Sequence, residues 1–334
     1  MAAHEHNMFS GSRALTAFLN PGDNTPSPLV ELPASLNPLA GERVRLFAKA
    51  SFLSPLFNIK QLAAHNLLQT AYDAGKLKGV HTLVENSSGN MALGLAVLAR
   101  HYGIPRMVAV VPRDIPASKL ELLRLFGIDV EFSSTSPGGA SGIARAKELG
   151  AQDGWYNLGQ YENDANPSAY EKYLAPEIWK QTDGTLTVFC AGLGTTGTLV
   201  GSARYFKKQS PRITIVGVVP RQDSVPGVRS ERRLREVGFK WEGTLDFHAE
   251  VETKDAFKQS LELCRVGLLA GPSSGMALAG LVQVLKAQHN AGTLDALRNA
   301  RGDVVAAFVC PDTALLYLEK YSTHLDPEDF RAHD

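Results

Sequence analysis

The chain has 334 residues, 44% of them hydrophobic and 20% charged, which fits a folded protein of one large or two ordinary domains rather than a disordered chain. Lysine plus arginine and aspartate plus glutamate each total 34, so no net charge draws the whole molecule to nucleic acid or to an anionic membrane. Cys190, Cys264 and Cys310 form neither a disulfide framework nor a zinc-type spacing, and no metal site is expected; with no cationic leader and no uncharged apolar run near about 18 residues, a cytoplasmic location is expected.

Residues 1–28, rich in Pro, Asn, Ser and Gly, are expected to run over the surface. Lys60, in Ser54-Pro-Leu-Phe-Asn-Ile-Lys60-Gln-Leu-Ala-Ala, stands where a helix begins. A cation in the first turn opposes the helix dipole, a poor place for a structural lysine and a good one for Schiff-base chemistry; the plain alternative is a solvated lysine. Next come a buried strand over Val80–Val84, the turn Asn86-Ser87-Ser88-Gly89 and a helix over Met91–His101. The hydroxyls and N–H groups of that turn suit a carboxylate at a helix N-terminus, or an ordinary N-cap. Strands at Met107–Val111 and Ile128–Phe132 flank a helix at Ala117–Phe126, with turn clusters at Pro112-Arg-Asp and from Ser133 to Gly139.

The second half repeats this rhythm. Strands are expected at Leu186–Cys190, Ile213–Val219 and Val304–Val309, and helices at Thr198–Lys207, Ser274–Leu285 and Thr313–Tyr321. Such alternation predicts an α/β protein: two three-layer α/β domains with mostly parallel sheets and a ligand cleft between them. The strongest local signal is Gly192-Leu-Gly194-Thr195-Thr196-Gly197-Thr198, set between the strand Leu186–Cys190 and a helix. Glycines let the backbone expose successive N–H groups, threonines add hydroxyl donors, and the helix N-terminus supplies positive potential: a cradle for one phosphate. It is no P-loop, since no Lys-Ser/Thr follows the glycines, and it lacks an acidic ribose ligand about 20 residues on. A ligand-free glycine turn is the alternative.

In this order the pieces resemble the cysteine synthase / cystathionine β-synthase family, fold type II of the pyridoxal phosphate (PLP) enzymes. The resemblance rests on Pro28-Leu29-Val30, Asn58-Ile59-Lys60, Ser87-Ser88-Gly89-Asn90, Gln160-Tyr-Glu-Asn-Asp-Ala-Asn-Pro167, the Gly194–Thr198 loop, Gly271-Pro-Ser273-Ser-Gly275 and Pro311-Asp312. It implies that Lys60 forms the internal aldimine and shuttles the α-proton, and that Asn90 bonds the cofactor's O3′. It further implies that Gly194, Thr195, Thr196, Gly197 and Thr198 hold the cofactor's phosphate. Ser273 would face the pyridine nitrogen, and Ser87, Ser88 and Gln160 would clasp the substrate carboxylate. A homodimer is implied, with a smaller mobile domain near 53–163 and a larger one from 1–52 and 164–334. The implied reaction is β-replacement on an O-activated L-serine, O-phosphoserine or O-acetylserine, through an aminoacrylate that a small nucleophile attacks. A serine/threonine dehydratase and a catalytically weak ligand-sensing relative are the alternatives.

Three departures bear on substrate choice. Met91 stands where the family usually has a threonine for the carboxylate, and Thr196 where it usually has a second loop glycine. The segment Val219–Arg229 replaces a glycine-rich stretch, which makes Arg221 or Arg229 a candidate to bind a substrate phosphate or a second carboxylate, the plain alternative being a surface arginine with no specific contact. Arg221 is the expected reader of O-phosphoserine.

Overall fold

The computed structural model describes residues 8–134 and 141–331; the first seven residues of the expected surface stretch and the Thr135–Gly139 part of the expected turn cluster lie outside them. Ten strands are described: β1 (Leu29–Glu31), β2 (Val44–Ala50), β3 (Thr82–Asn86), β4 (Arg106–Val111), β5 (Asp129–Phe132), β6 (Trp155–Asn157), β7 (Val188–Gly192), β8 (Thr214–Pro220), β9 (Phe247–Val251) and β10 (Val304–Cys310). They fall into two compact units, Met1–Thr25 with Lys60–Ala169, and Pro26–Ile59 with Tyr170–Asp334. Each unit is α/β and built on a mostly parallel sheet, as expected.

The smaller unit holds a four-stranded sheet in the order β5-β4-β3-β6, parallel throughout. Val84, Val108 and Val110 pack with Ala146 and Leu149 of the Gly142–Gly150 helix. The helices Lys60–Asp73 and Asn90–Ala99 pack on each other so tightly that a Cβ on Gly94 would lie 3.1 Å from that of Ala64. Met8–Thr25 goes with this unit, tied down where the buried Gln61 side chain donates to Leu19 O at 3.0 Å.

The larger unit holds six strands in the order β1-β2-β10-β7-β8-β9; β1 is antiparallel to β2 and the other pairs are parallel. Strands β8 and β10 are buried at every residue, as parallel strands covered on both faces must be. The period-2 alternation shows which helix lies where. Val188 and Cys190 join the core cluster with Met276 and Ala277 of the Pro272–Asn290 helix. Phe189 between them meets Phe206 of the Gly197–Gln209 helix, ring centroids 5.0 Å apart.

The six expected strands are all present, shifted by up to two residues. The sequence reading missed β1, β2, β6 and β9. Strands β1 and β6 are only three residues long, β9 alternates exposed and buried residues at a sheet edge, and β2 carries Arg45 and Lys49. The expected helix at Thr313–Tyr321 is a 3-10 turn, Ala314–Tyr317, followed by a helix over Leu318–His324.

Candidate active site

In the larger unit, β7 ends at Gly192 and the Gly197–Gln209 helix starts five residues later. The turn between them is held from both sides, Leu193 N donating to Val218 O at 2.9 Å and Arg229 N donating to Leu193 O at 2.8 Å. A Cβ on Gly194 would lie 2.4 Å from Gly227 O, so only glycine lets these two segments approach. Thr196 caps the helix in the left-handed region, φ 63°, and its buried Oγ1 has no hydrogen-bond partner in the structure. Thr195 Oγ1 accepts from Gly197 N at 3.4 Å, Gly197 is buried and Thr198 half-buried. No acidic residue sits in the first turn of this helix, so its positive end is unopposed. Ser273, 3% exposed, lies in the first turn of Pro272–Asn290, whose entry is fixed by Gly271 N donating to Asp312 O at 2.9 Å.

In the smaller unit, Lys60 is half-buried and is the first residue of its helix. The turn Ser87-Ser88-Gly89 leads from β3 into the Asn90–Ala99 helix. Ser87 Oγ accepts from Gly89 N at 3.4 Å and Ala92 N at 3.3 Å, so its hydroxyl stabilises the turn and still has a proton to donate. Ser88 and Asn90 are half-buried, and Met91 is buried at 2% exposure. Gln160, 2% exposed, follows β6; its Nε2 donates to Asn86 O at 2.9 Å. Ser87, Ser88 and Gln160 are thus on adjoining loops of one unit.

Residues 22–296 match the protein family described as "Pyridoxal-phosphate dependent enzyme". The chain is 31% identical over 286 residues to cysteine synthase B of Escherichia coli (strain K12), covering 85% of this chain and 89% of that protein. It belongs to the cysteine synthase family of PLP enzymes. The O-acetylserine dependent cystathionine beta-synthase of Bacillus subtilis (strain 168) is 30% identical over 288 residues, covering 84% of this chain and 90% of that protein. Of solved structures, the O-acetylserine dependent cystathionine beta-synthase from Helicobacter pylori matches at a TM-score of 0.78 and 26% identity, over 94% of this chain and 99% of that one. The cysteine synthase from Entamoeba histolytica, at 21% identity and a TM-score of 0.77 over 98% and 94% of the two chains, shows the fold alone.

The residues present fit the family's cofactor. A buried hydroxyl without a partner, Thr196 Oγ1, stands at the N-terminus of a long helix in a turn narrowed around Gly194, a donor set that suits a phosphate. The chain is a cysteine synthase-like enzyme that uses PLP. Bound to it, PLP supplies an electron sink that labilises bonds at the α- and β-carbons of an amino acid.

Arg221, just past β8, is more than half exposed and pairs with Glu252 at 2.7 Å and Glu250 at 3.7 Å. Arg229 is buried and donates to Glu236 at 3.1 Å. The sequence reading passed over Glu85, a fully buried carboxylate on β3 beside the Ser87–Asn90 turn. Burial pushes its carboxyl up to about 7, against the pull of hydrogen bonds from Gln160 and Asn86. The available signal was a lone acid between the strand residues Leu83-Val84 and the turn that starts at Asn86. No described cluster of three or more His, Cys, Asp or Glu is placed to hold a metal ion, and no described helix is long and apolar enough to cross a membrane.

Proposed function

We propose that the protein catalyses β-replacement on an O-activated L-serine, with O-acetylserine as the donor and a small nucleophile such as sulfide as the acceptor, in amino-acid biosynthesis. The observation that carries the reading is the partnerless Thr196 hydroxyl in the Gly194–Thr198 turn, in a chain of this family. Gly194, Thr195, Thr196, Gly197 and Thr198 hold the cofactor's phosphate, Asn90 bonds its O3′ and Ser273 faces its pyridine nitrogen. Lys60 Nζ holds the cofactor covalently and moves the substrate's α-proton. Ser87, Ser88 and Gln160 bind the substrate carboxylate, and the buried Met91, which has no donor, takes no part. The smaller unit, Lys60–Ala169 with Met8–Thr25, moves on the substrate to exclude water.

Acetate is proposed as the leaving group for two reasons. Two of the relatives are named O-acetylserine dependent. Arg221 would serve a phosphate only by giving up Glu250 and Glu252. A homodimer in the cytoplasm completes the proposal. Leu53, Phe57, Leu269 and Leu315 are exposed on segments that the bridges Asn58↔Asp312 and Ala270↔Thr313 tie together, an apolar patch of the kind subunits cover. Sedimentation of the holoenzyme tests the dimer, and a monomer at working concentration would refute it.

The reaction is tested by incubating holoenzyme with O-acetylserine, O-phosphoserine and L-serine, with and without sulfide. Cysteine from O-acetylserine plus sulfide is expected; pyruvate from L-serine would favour a dehydratase, and no turnover a ligand-sensing relative. Lys60→Ala is expected to lose both the borohydride-reducible cofactor and turnover, and a reducible adduct at another lysine would move the assignment.

A further inference from the structure

Glu85 has no part in the roles assigned above, yet it accepts from the backbone of one proposed carboxylate ligand, Gln160, and stands two and three residues before the others, Ser87 and Ser88. It is 1% exposed, on a strand whose Val84 lies in the core with Val108 and Val110. An ionisable group in such surroundings is expensive unless hydrogen bonds compensate it. Those bonds come from two loops. Oε1 accepts from Asn86 N at 3.1 Å, while Oε2 accepts from Gly159 N at 3.1 Å and Gln160 N at 3.3 Å. The same loops are tied a second time, because Asn86 O accepts from Gln160 Nε2 at 2.9 Å and Tyr161 Oη at 3.2 Å. Asn166 Nδ2 then holds Gln160 O at 2.6 Å. With one N–H of its amide spent on Asn86 O, Gln160 keeps a second whose direction is fixed by this tie.

We propose that Glu85 is a positioning residue for substrate recognition, locking the Asn86–Asn90 segment and Gln160 into one frame so that their donors meet an α-carboxylate together. The inference rests on the reading that Ser87, Ser88 and Gln160 bind that carboxylate. Glutamine has the same shape but replaces one oxygen with an NH2 group that has no lone pair to accept, and this would face a backbone N–H; a carboxyl keeps an acceptor lone pair on both oxygens whether or not it carries its proton. Misplacing the frame weakens recognition of the carboxylate and leaves the cofactor's own contacts alone.

The test uses PLP-loaded Glu85→Gln and Gln160→Ala, with melting curves to confirm folding. Two probes that lack a leaving group, L-alanine and ethylamine, are titrated while the cofactor's visible band is followed; only the first has a carboxylate. Glu85→Gln is expected to weaken L-alanine by about ten- to hundredfold, the loss of one or two well-placed hydrogen bonds, with ethylamine and PLP affinity unchanged. KM for O-acetylserine should rise by the same factor, with kcat changed less than about threefold. Equal weakening of both probes would make Glu85 a general structural residue and overturn the proposal. Selective loss in Gln160→Ala without loss in Glu85→Gln would overturn it too, while leaving the carboxylate reading intact. If neither variant discriminates between the probes, both fall together.

Discussion

Thr196 carries two opposed demands in one side chain. A β-branched residue at φ 63° is strained, because its Cβ crowds the backbone in the left-handed region. Its hydroxyl is buried without a partner, which adds a second cost to the cofactor-free chain. Both disappear in Thr196→Gly. This variant is expected to raise the stability of the cofactor-free protein by about 1 kcal/mol, read by urea denaturation. It should also weaken PLP by roughly tenfold, about one charge-assisted hydrogen bond, read by titrating the cofactor-free protein. PLP binding as tight as in the wild type would mean that the hydroxyl does not touch the phosphate.

Among the elements, the proposed ligands gather just past the C-terminal ends of parallel strands: Ser87 and Ser88 after β3, Gln160 after β6, and the Gly194–Thr198 turn after β7. In a parallel sheet the following helix starts at that end, so free N–H groups and positive helix termini collect there. A different pairing lies one strand in from the edge of the larger sheet. Lys49 on β2 is fully buried and its Nζ donates to Glu177 at 2.6 Å, to Ser27 O at 2.7 Å and to Gln181 at 3.0 Å. This fixes the Ala175–Gln181 helix against the strand. Glu177→Ala strands a buried ammonium and is expected to destabilise the protein by about 3 kcal/mol, the low end for a broken buried pair because Glu177 is half-buried. The double variant Lys49→Met/Glu177→Leu should recover most of that loss in the same denaturation experiment. Additive losses would show that the pair is not coupled.

For the whole molecule, the buried Glu85 sets a pH dependence of stability. Its carboxyl is raised from the ordinary 4.5 to about 7 in the folded state, chiefly because burial disfavours the charged form. A raised acid stabilises the fold fully below the unfolded value, and this contribution is lost as pH rises through about 7. The loss is on the order of 3 kcal/mol for a shift of this size. Glu85→Gln does not titrate, so the melting temperature of the wild type relative to this variant should fall between pH 5 and 8. A constant difference over that range would mean that Glu85 ionises at its ordinary value.

The sequence by itself determined the fold class, the family and the order of the site's parts. Long apolar runs such as Val304–Cys310 and the glycine turn Gly192–Thr198 impose their local structure whatever lies around them. Short or charged strands were illegible because tertiary context makes them: β6 is three residues long, and β2 is a strand despite Lys49 because Glu177, far along the chain, neutralises it. Three facts were decided only in three dimensions: that Arg221 faces Glu250 and Glu252, that Met8–Thr25 packs with the smaller unit, and that Glu85 knots two loops together. Each depends on which groups, distant in sequence, share a buried place, and hydrogen bonds and ion pairs between such groups leave no periodicity to read along the chain.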